Sequence, residues 1–238
     1  MSVGRDSSER EAADDSSSPP AGAESRNPID LYLPGTKADE CDPDLALARQ
    51  VLSDYQPADA EQCEERERFL QFVRDHPSDA HERSNPVGHL TASTLLLDAR
   101  GERALLMLHR KLGRWLQFGG HCDGDANLRA VALKETAEES GILPMAITHS
   151  PIDLDVHAIP ARGSELVHFH WDVRFLAWAP VSAREIANEE SCDLRWFRAD
   201  ELSSIEVDVS LQRLLLLGFA AAPPIVDSTR VSARSVMP

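Results

Sequence analysis

GHCDGDANLRAVALKETAEESGI, running from Gly120 to Ile142, decides the reading of this chain. On an α-helix Glu135, Glu138 and Glu139 stand at i, i+3 and i+4, so three carboxylates project from one side within about a turn. Like charges so close repel one another. A solvated face tolerates that repulsion; a hard divalent cation, Mg2+ or Mn2+, reverses it by taking the oxygens as ligands. Ala130, Leu133 and Ala137 lie away from the acids, where small side chains let the helix pack close to a sheet. Gly141 closes the helix as a C-cap. Just upstream, a Gly119-Gly120 turn after a strand leaves backbone carbonyls accessible beside the helix, so a main-chain oxygen can complete a metal shell.

Outward from this segment the texture is strands broken by turns. His89 to Asp98 and Arg103 to His109 flank Ala99-Arg100-Gly101-Glu102 and read as a hairpin. Trp115 to Phe118 is a strand leading into the glycines, and the acidic helix spans about Ala126 to Ser140. Further strands are expected around Ile147 to Ala158, Val167 to Trp178 and Asp193 to Phe197. The last helix falls within Val209 to Ala220, stopped by Pro223-Pro224. Strands and helices mix without a regular βαβ alternation, which favours α+β layering. Residues 29–85 read as a helical segment: Leu45, Leu47, Val51 and Leu52 suit one amphipathic helix, and Phe69, Leu70, Phe72 and Val73 suit a second that His76-Pro77 ends. Residues 1–28, rich in Ser, Asp, Glu, Ala and Pro, read as a disordered acidic tail, and residues 223–238 as a polar one. The domain proper is then expected over 86–222.

Composition excludes several classes of function. With 40 Asp and Glu against 24 Lys and Arg the formal net charge is −16, which repels phosphate backbones and anionic lipid alike, so neither nucleic acid nor a membrane surface is an expected partner. No apolar run approaches the ~20 residues of a bilayer span, and no basic-then-apolar leader opens the sequence. Cys41, Cys63, Cys122 and Cys192 lie far apart with no CxxC pair, against a zinc ribbon or a disulfide framework. Cys41, Cys63 and Cys192 read as ordinary thiols, and the usage as a whole fits a reducing cytoplasm.

Gly120 to Ile142 resembles the Nudix box, G-x5-E-x7-R-E-U-x-E-E-x-G-U with U aliphatic. Gly120 takes the first glycine, Glu135 the acid after the Arg position, Glu138 and Glu139 the paired acids, and Gly141-Ile142 the ending. Ala126 replaces the first Glu, Lys134 the Arg and Thr136 the aliphatic residue. The first two changes are linked, because in the family that Glu and Arg brace the loop on the helix as an ion pair, worth about 0–1 kcal/mol when exposed. Here Asp123 or Asp125 is expected to reach Lys134 instead. Trp115-Leu116-Gln117-Phe118-Gly119-Gly120, Asp172-Val173-Arg174-Phe175 and Leu194-Arg195-Trp196-Phe197 resemble the family's strands, so the resemblance covers about Pro86 to Ala222. It implies a Nudix-type α/β/α sandwich with a mixed sheet.

The activity so implied is metal-dependent hydrolysis of a pyrophosphate bond in a nucleoside diphosphate linked to another group. Anionic phosphoryl groups cannot approach three carboxylates on a chain of this charge unless divalent ions neutralise both. Glu135 and Glu139 are the expected ligands of Mg2+ or Mn2+. Glu138 shares a second ion or positions water, and a Gly119 or Gly120 carbonyl adds a ligand. Glu139, or Glu190 in the loop before the last strand, is the candidate base. Arg110, Lys111 and Arg114 could hold the distal phosphate or simply form a solvated turn. Trp115, Phe118, Trp171 and Trp178 could stack on a base, although packing suits most of them better.

Two other readings stand beside this one. A Nudix-fold module could bind a nucleotide without cleaving it, as the departures at Ala126 and Lys134 permit. Isopentenyl diphosphate isomerases share a Nudix-like fold and use a histidine-rich metal site with a catalytic cysteine. Cys122 beside His121 prompts that comparison, together with His168 and His170 alternating on one strand face and with His89 and His109 at strand ends. That family lacks the full set of box glutamates present here. The helical segment 29–85 could cover the pocket, form a homodimer interface or buttress the sheet.

Overall fold

The structure, a computed structural model, describes Met1 and residues 29–32, 41–163 and 166–221. The tail read as disordered over 1–28 lies outside the described residues apart from Met1, as do Pro223-Pro224 and the polar tail. Nine strands are described: β1 (Ile29–Tyr32), β2 (Gly88–Leu97), β3 (Arg103–His109), β4 (Trp115–Leu116), β5 (Phe118–His121), β6 (Met145–Thr148), β7 (Asp153–Ile159), β8 (His168–Trp178) and β9 (Ser191–Arg198). Four helices accompany them, α1 (Leu45–Asp54), α2 (Ala60–Asp75), α3 (Leu128–Ser140) and α4 (Val209–Ala220), with a 3-10 turn at Ala199–Ser204.

The centre of the sheet is β2, buried along its whole length. One edge pairs in parallel with β8 from Gly88↔Phe169 to Leu97↔Trp178. The opposite edge is shared: β5 takes Thr91 to Thr94, and β3 takes Leu96 and Leu97. The far edge of β8 is shared likewise, by β7 along its first half and β6 at its end. Two strands competing for one edge must diverge, so the sheet curls. Every pairing other than β2 with β8 is antiparallel, which makes the sheet mixed as expected. One core side joins α1, α2 and α3 to Leu90, Ala92, Phe118, Val173 and Phe175. The other side packs α4, through Leu211, Leu214 and Leu215, on Leu95, Leu97, Leu176 and Trp178. No helix among the described residues is long and apolar enough to cross a membrane.

Several expectations need correction. Ile29–Tyr32, placed in the helical segment, is a strand paired antiparallel with β6. Ile147 to Ala158 is two strands, because Pro151 supplies no N–H to a ladder and the chain turns between β6 and β7. Gly119-Gly120 is no turn: both glycines lie within β5. A Cβ at Gly119 would overlap Ser93, so glycine is what lets β5 approach β2.

The two helices read from residues 45–73 form as expected, and they buttress the sheet. Phe72 stacks on Trp171 of β8 with ring centroids 4.3 Å apart, and Phe69 meets the same indole edge-on at 5.2 Å. At the end of α2 the backbone N–H of His76 donates to Phe72, and Pro77 follows.

Candidate active site

Helix α3 starts where Asn127 Oδ1 accepts from the Ala130 N–H at 3.3 Å. It ends at Gly141, whose φ of 69° is left-handed and natural to glycine. Ala130 and Leu133 are buried, and Ala137 packs against the same core. Thr136, where an aliphatic residue was expected, is also buried; its hydroxyl donates to the Ala132 carbonyl at 2.6 Å and so needs no partner in the core.

The three box acids differ in environment. Glu139 is 5% exposed, and its Oε2 accepts from the Gly119 N–H at 3.1 Å. Glu135 is half-buried beside Gly120, and Glu138 is exposed at the rim. A Cβ at Gly120 would lie 2.5 Å from Glu135 Oε2. Glycine there is what lets the carboxylate lie against the strand.

Burial pushes the Glu139 carboxyl up to about 8; the Gly119 N–H opposes the shift, and the charges of Glu135, Glu190 and Glu138 add to it. Burial also raises Glu135, with Lys134 opposing and Glu138 and Glu190 reinforcing. Glu190 therefore belongs electrostatically to the group. Its loop is fastened to the end of α3, where Ile186 N–H donates to the Ser140 carbonyl at 2.7 Å and Asn188 Nδ2 to the Glu138 carbonyl at 3.3 Å. An oxygen-only set of acids pressed together around a buried carboxylate fits a hard divalent ion.

The brace expected from Asp123 or Asp125 to Lys134 is not made. Lys134 lies 3.9 Å from Glu135 instead. Asp123 accepts from Arg83 Nη2 at 2.7 Å, and Asp125 Oδ1 accepts from the backbone N–H groups of Asp42 and Asn127. Ala126, standing where the family has its first Glu, donates its N–H to the Asp42 carbonyl at 2.5 Å. The loop ahead of the acidic helix is thus held by residues preceding β2 rather than by the helix itself.

Of the basic residues expected near a phosphate, Arg110 is engaged with the Glu190 loop. Its Nε donates to the Glu189 carbonyl at 2.9 Å and its Nη2 to that of Ser191 at 2.7 Å. Lys111 and Arg114 stand exposed on the turn. Trp178, Phe118 and Trp171 are used in packing, and Trp115 meets Phe197 edge-on at 4.9 Å.

On the other face of β5 the structure gathers histidines. His89, His121, His168 and His170 have ring centroids 4.9–5.3 Å apart in five pairs, whereas His109 lies elsewhere and its Nδ1 meets the Lys111 N–H. Burial first, then the neighbouring rings, lowers His89 to about 4 and His170 to about 2, so both are neutral imidazoles. Cys122 faces the apolar core, and burial pushes its thiol well up, the opposite of what a catalytic nucleophile requires.

A buried ionic cluster lies outside the site residues expected from the sequence. Arg174 reaches Asp153, Asp155 and Asp172 at 3.2, 3.0 and 2.9 Å, and Arg213 reaches Asp153 and Asp155. The alternation Asp153-Leu154-Asp155 opposite Asp172-Val173-Arg174 could have pointed to it, since period two puts these charges on one face.

The NUDIX domain profile matches residues 88–216. A search among curated proteins found no match. Similar solved structures include a NUDIX-family hydrolase from Clostridium perfringens, 18% identical over 55% of this chain and 95% of that one, with a TM-score of 0.44. A C. elegans Ap4A hydrolase binary complex is 18% identical over 54% of this chain and 93% of that one, TM-score 0.45. The NUDIX domain of Shewanella oneidensis NrtR complexed with ADP ribose is 17% identical over 71% and 94%, TM-score 0.37.

Proposed function

The chain belongs to the NUDIX domain family, and from that premise we propose that it is a divalent-metal-dependent hydrolase cleaving a pyrophosphate bond in a nucleoside diphosphate linked to another group. The observation that carries this reading is Glu139, a buried carboxylate fixed by the Gly119 N–H among like-charged neighbours. Glu135 and Glu139, with Glu138 at the rim and a Gly119 or Gly120 carbonyl, would hold Mg2+ or Mn2+. The ion supplies charge neutralisation for the phosphates and acidifies water. Glu139, or Glu190 from its loop, accepts the proton of the attacking water. Arg110 positions Glu190 by holding the carbonyls on either side of it. Lys111 and Arg114 meet the distal phosphate from the exposed turn. Four free thiols support a cytoplasmic setting.

The test is turnover of a panel of nucleoside diphosphate derivatives by the full chain with Mg2+ or Mn2+, beside Glu139→Gln and Glu190→Gln. The variant that lacks the base should lose about 10²–10⁴-fold in kcat, and chelation should abolish turnover until the ion is restored. Equal turnover by wild type and both variants would remove these acids from the mechanism. Nucleotide binding without product would favour a non-catalytic module.

A further inference from the structure

We propose that His89, His121 and His170 form a second, nitrogen-ligated metal site that takes a borderline divalent transition ion of the zinc class, on the sheet face opposite the acidic helix. Strand alternation separates the two sites. Gly120 turns toward Glu135, so its neighbour His121 projects to the other side of β5. His89 and His170 are direct partners across the parallel β2–β8 pair, and His121 stands across β2 at Thr91, two residues along from His89. Three adjacent strands thereby place three imidazoles at the corners of a near-equilateral triangle, with centroids 5.0, 4.9 and 4.9 Å apart. One nitrogen from each lies within 4.8 Å of the others, and among the described residues no other set of His, Cys, Asp or Glu meets that condition.

The hydrogen bonding points the same way. His89 is 3% exposed, yet neither ring nitrogen has a partner, and His170 Nε2 is likewise buried and unpaired. Leaving such groups unsatisfied is costly, so a buried aromatic cluster would be better built from phenylalanine. Imidazole nitrogens gathered within 4.8 Å of one another suit zinc-class ions and are poor ligands for Mg2+. Zinc–nitrogen bonds of about 2.0–2.1 Å in a tetrahedral shell need nitrogens roughly 3.4 Å apart, within reach of modest ring rotations from the present positions. The rings bordering the triangle are themselves held: His157, its ring 5.4 Å from that of His170, is fixed by Asp155 at 3.0 Å, and the His168 Nδ1 lies 2.9 Å from the Leu166 carbonyl. Three protein ligands leave one position open, the arrangement of an ion that takes an exchangeable water or anionic oxygen rather than of a closed structural site.

The experiment uses the full chain stripped of metal and titrated with Co2+ in millimolar Mg2+, followed by calorimetry and visible absorption. We expect one equivalent bound with the intense absorption of a low-coordinate nitrogen site, undisplaced by Mg2+. His89→Ala and His121→Asn should each weaken binding at least ~10-fold, while Glu139→Gln keeps it. His121→Asn, at a half-exposed strand end, guards against loss through misfolding, and circular dichroism checks both variants. Absence of Co2+ binding, or loss of it in Glu139→Gln with retention in the folded histidine variants, would overturn the proposal. Neither outcome bears on the hydrolase reading, which is tested by Mg2+-dependent turnover.

Discussion

Gly120 lies so close beneath Glu135 that the carboxylate occupies the space a β-carbon would need, 2.5 Å from Oε2. The strand and the helix are therefore fitted to each other at the one point where a side chain would push the acid away. Gly120→Ala should leave the fold intact, because a glutamate side chain can swing outward. Its stability should stay within about 1 kcal/mol of wild type, while Mn2+ affinity at the carboxylates falls about tenfold or more. Calorimetric Mn2+ titration beside urea unfolding separates the two effects.

Arg174 is 3% exposed and compensates three aspartates at once. Arg174→Met would strand those charges in the interior and should cost about 3–5 kcal/mol, read as a fall in the urea midpoint. Arg213→Ala, at the half-exposed edge of the cluster, should cost less.

Acid should weaken the β2–β3 hairpin through Asp98. Burial raises its carboxyl, but the Arg103 ion pair at 2.9 Å and the Glu102 and Arg100 N–H groups outweigh that and hold it below the usual carboxylate range. An acid depressed on folding adds stability that is fully present above its unfolded value of about 3.9 and is lost as pH falls through the folded value. Asp98→Ala should flatten the acid limb of the stability curve below about pH 4, as followed by circular dichroism.

Thiol reactivity should sort by depth. Cys41, Cys63 and Cys192 are exposed and Cys122 is buried. Brief alkylation under native conditions should add three adducts by mass spectrometry, and a fourth only in urea.

What the sequence disclosed was what local spacing controls. Helix α3 and its Gly141 cap follow from positions a few residues apart, and so does the separation of the acids from Ala130 and Leu133; Gly119-Gly120, which looks locally like a turn, is drawn into β5 by its pairing with β2. The histidine triangle depends on pairing β2 with β8 across some eighty residues. His168 and His170 could be put on one face from alternation alone, but His89 could be brought beside them only by the parallel register. Four residues at Ile29–Tyr32 carry too short a period to tell strand from helix. The partners of Asp123 and Asp125 are hidden from local spacing for a related reason. Lys134 is near in sequence, whereas Arg83 and Asp42 become neighbours only once the segment before β2 folds back onto the loop.

That fold-back redraws the boundary of the working unit. The family segment opens at residue 88, yet the collar around the loop, Asp42 and Arg83, and the rings that shield Trp171, Phe69 and Phe72, all precede it. A recombinant piece trimmed to the family limits would retain Glu135, Glu138, Glu139 and Glu190 and the imidazoles of His89, His121 and His170, and still lack the scaffold that sets the height of the loop over them.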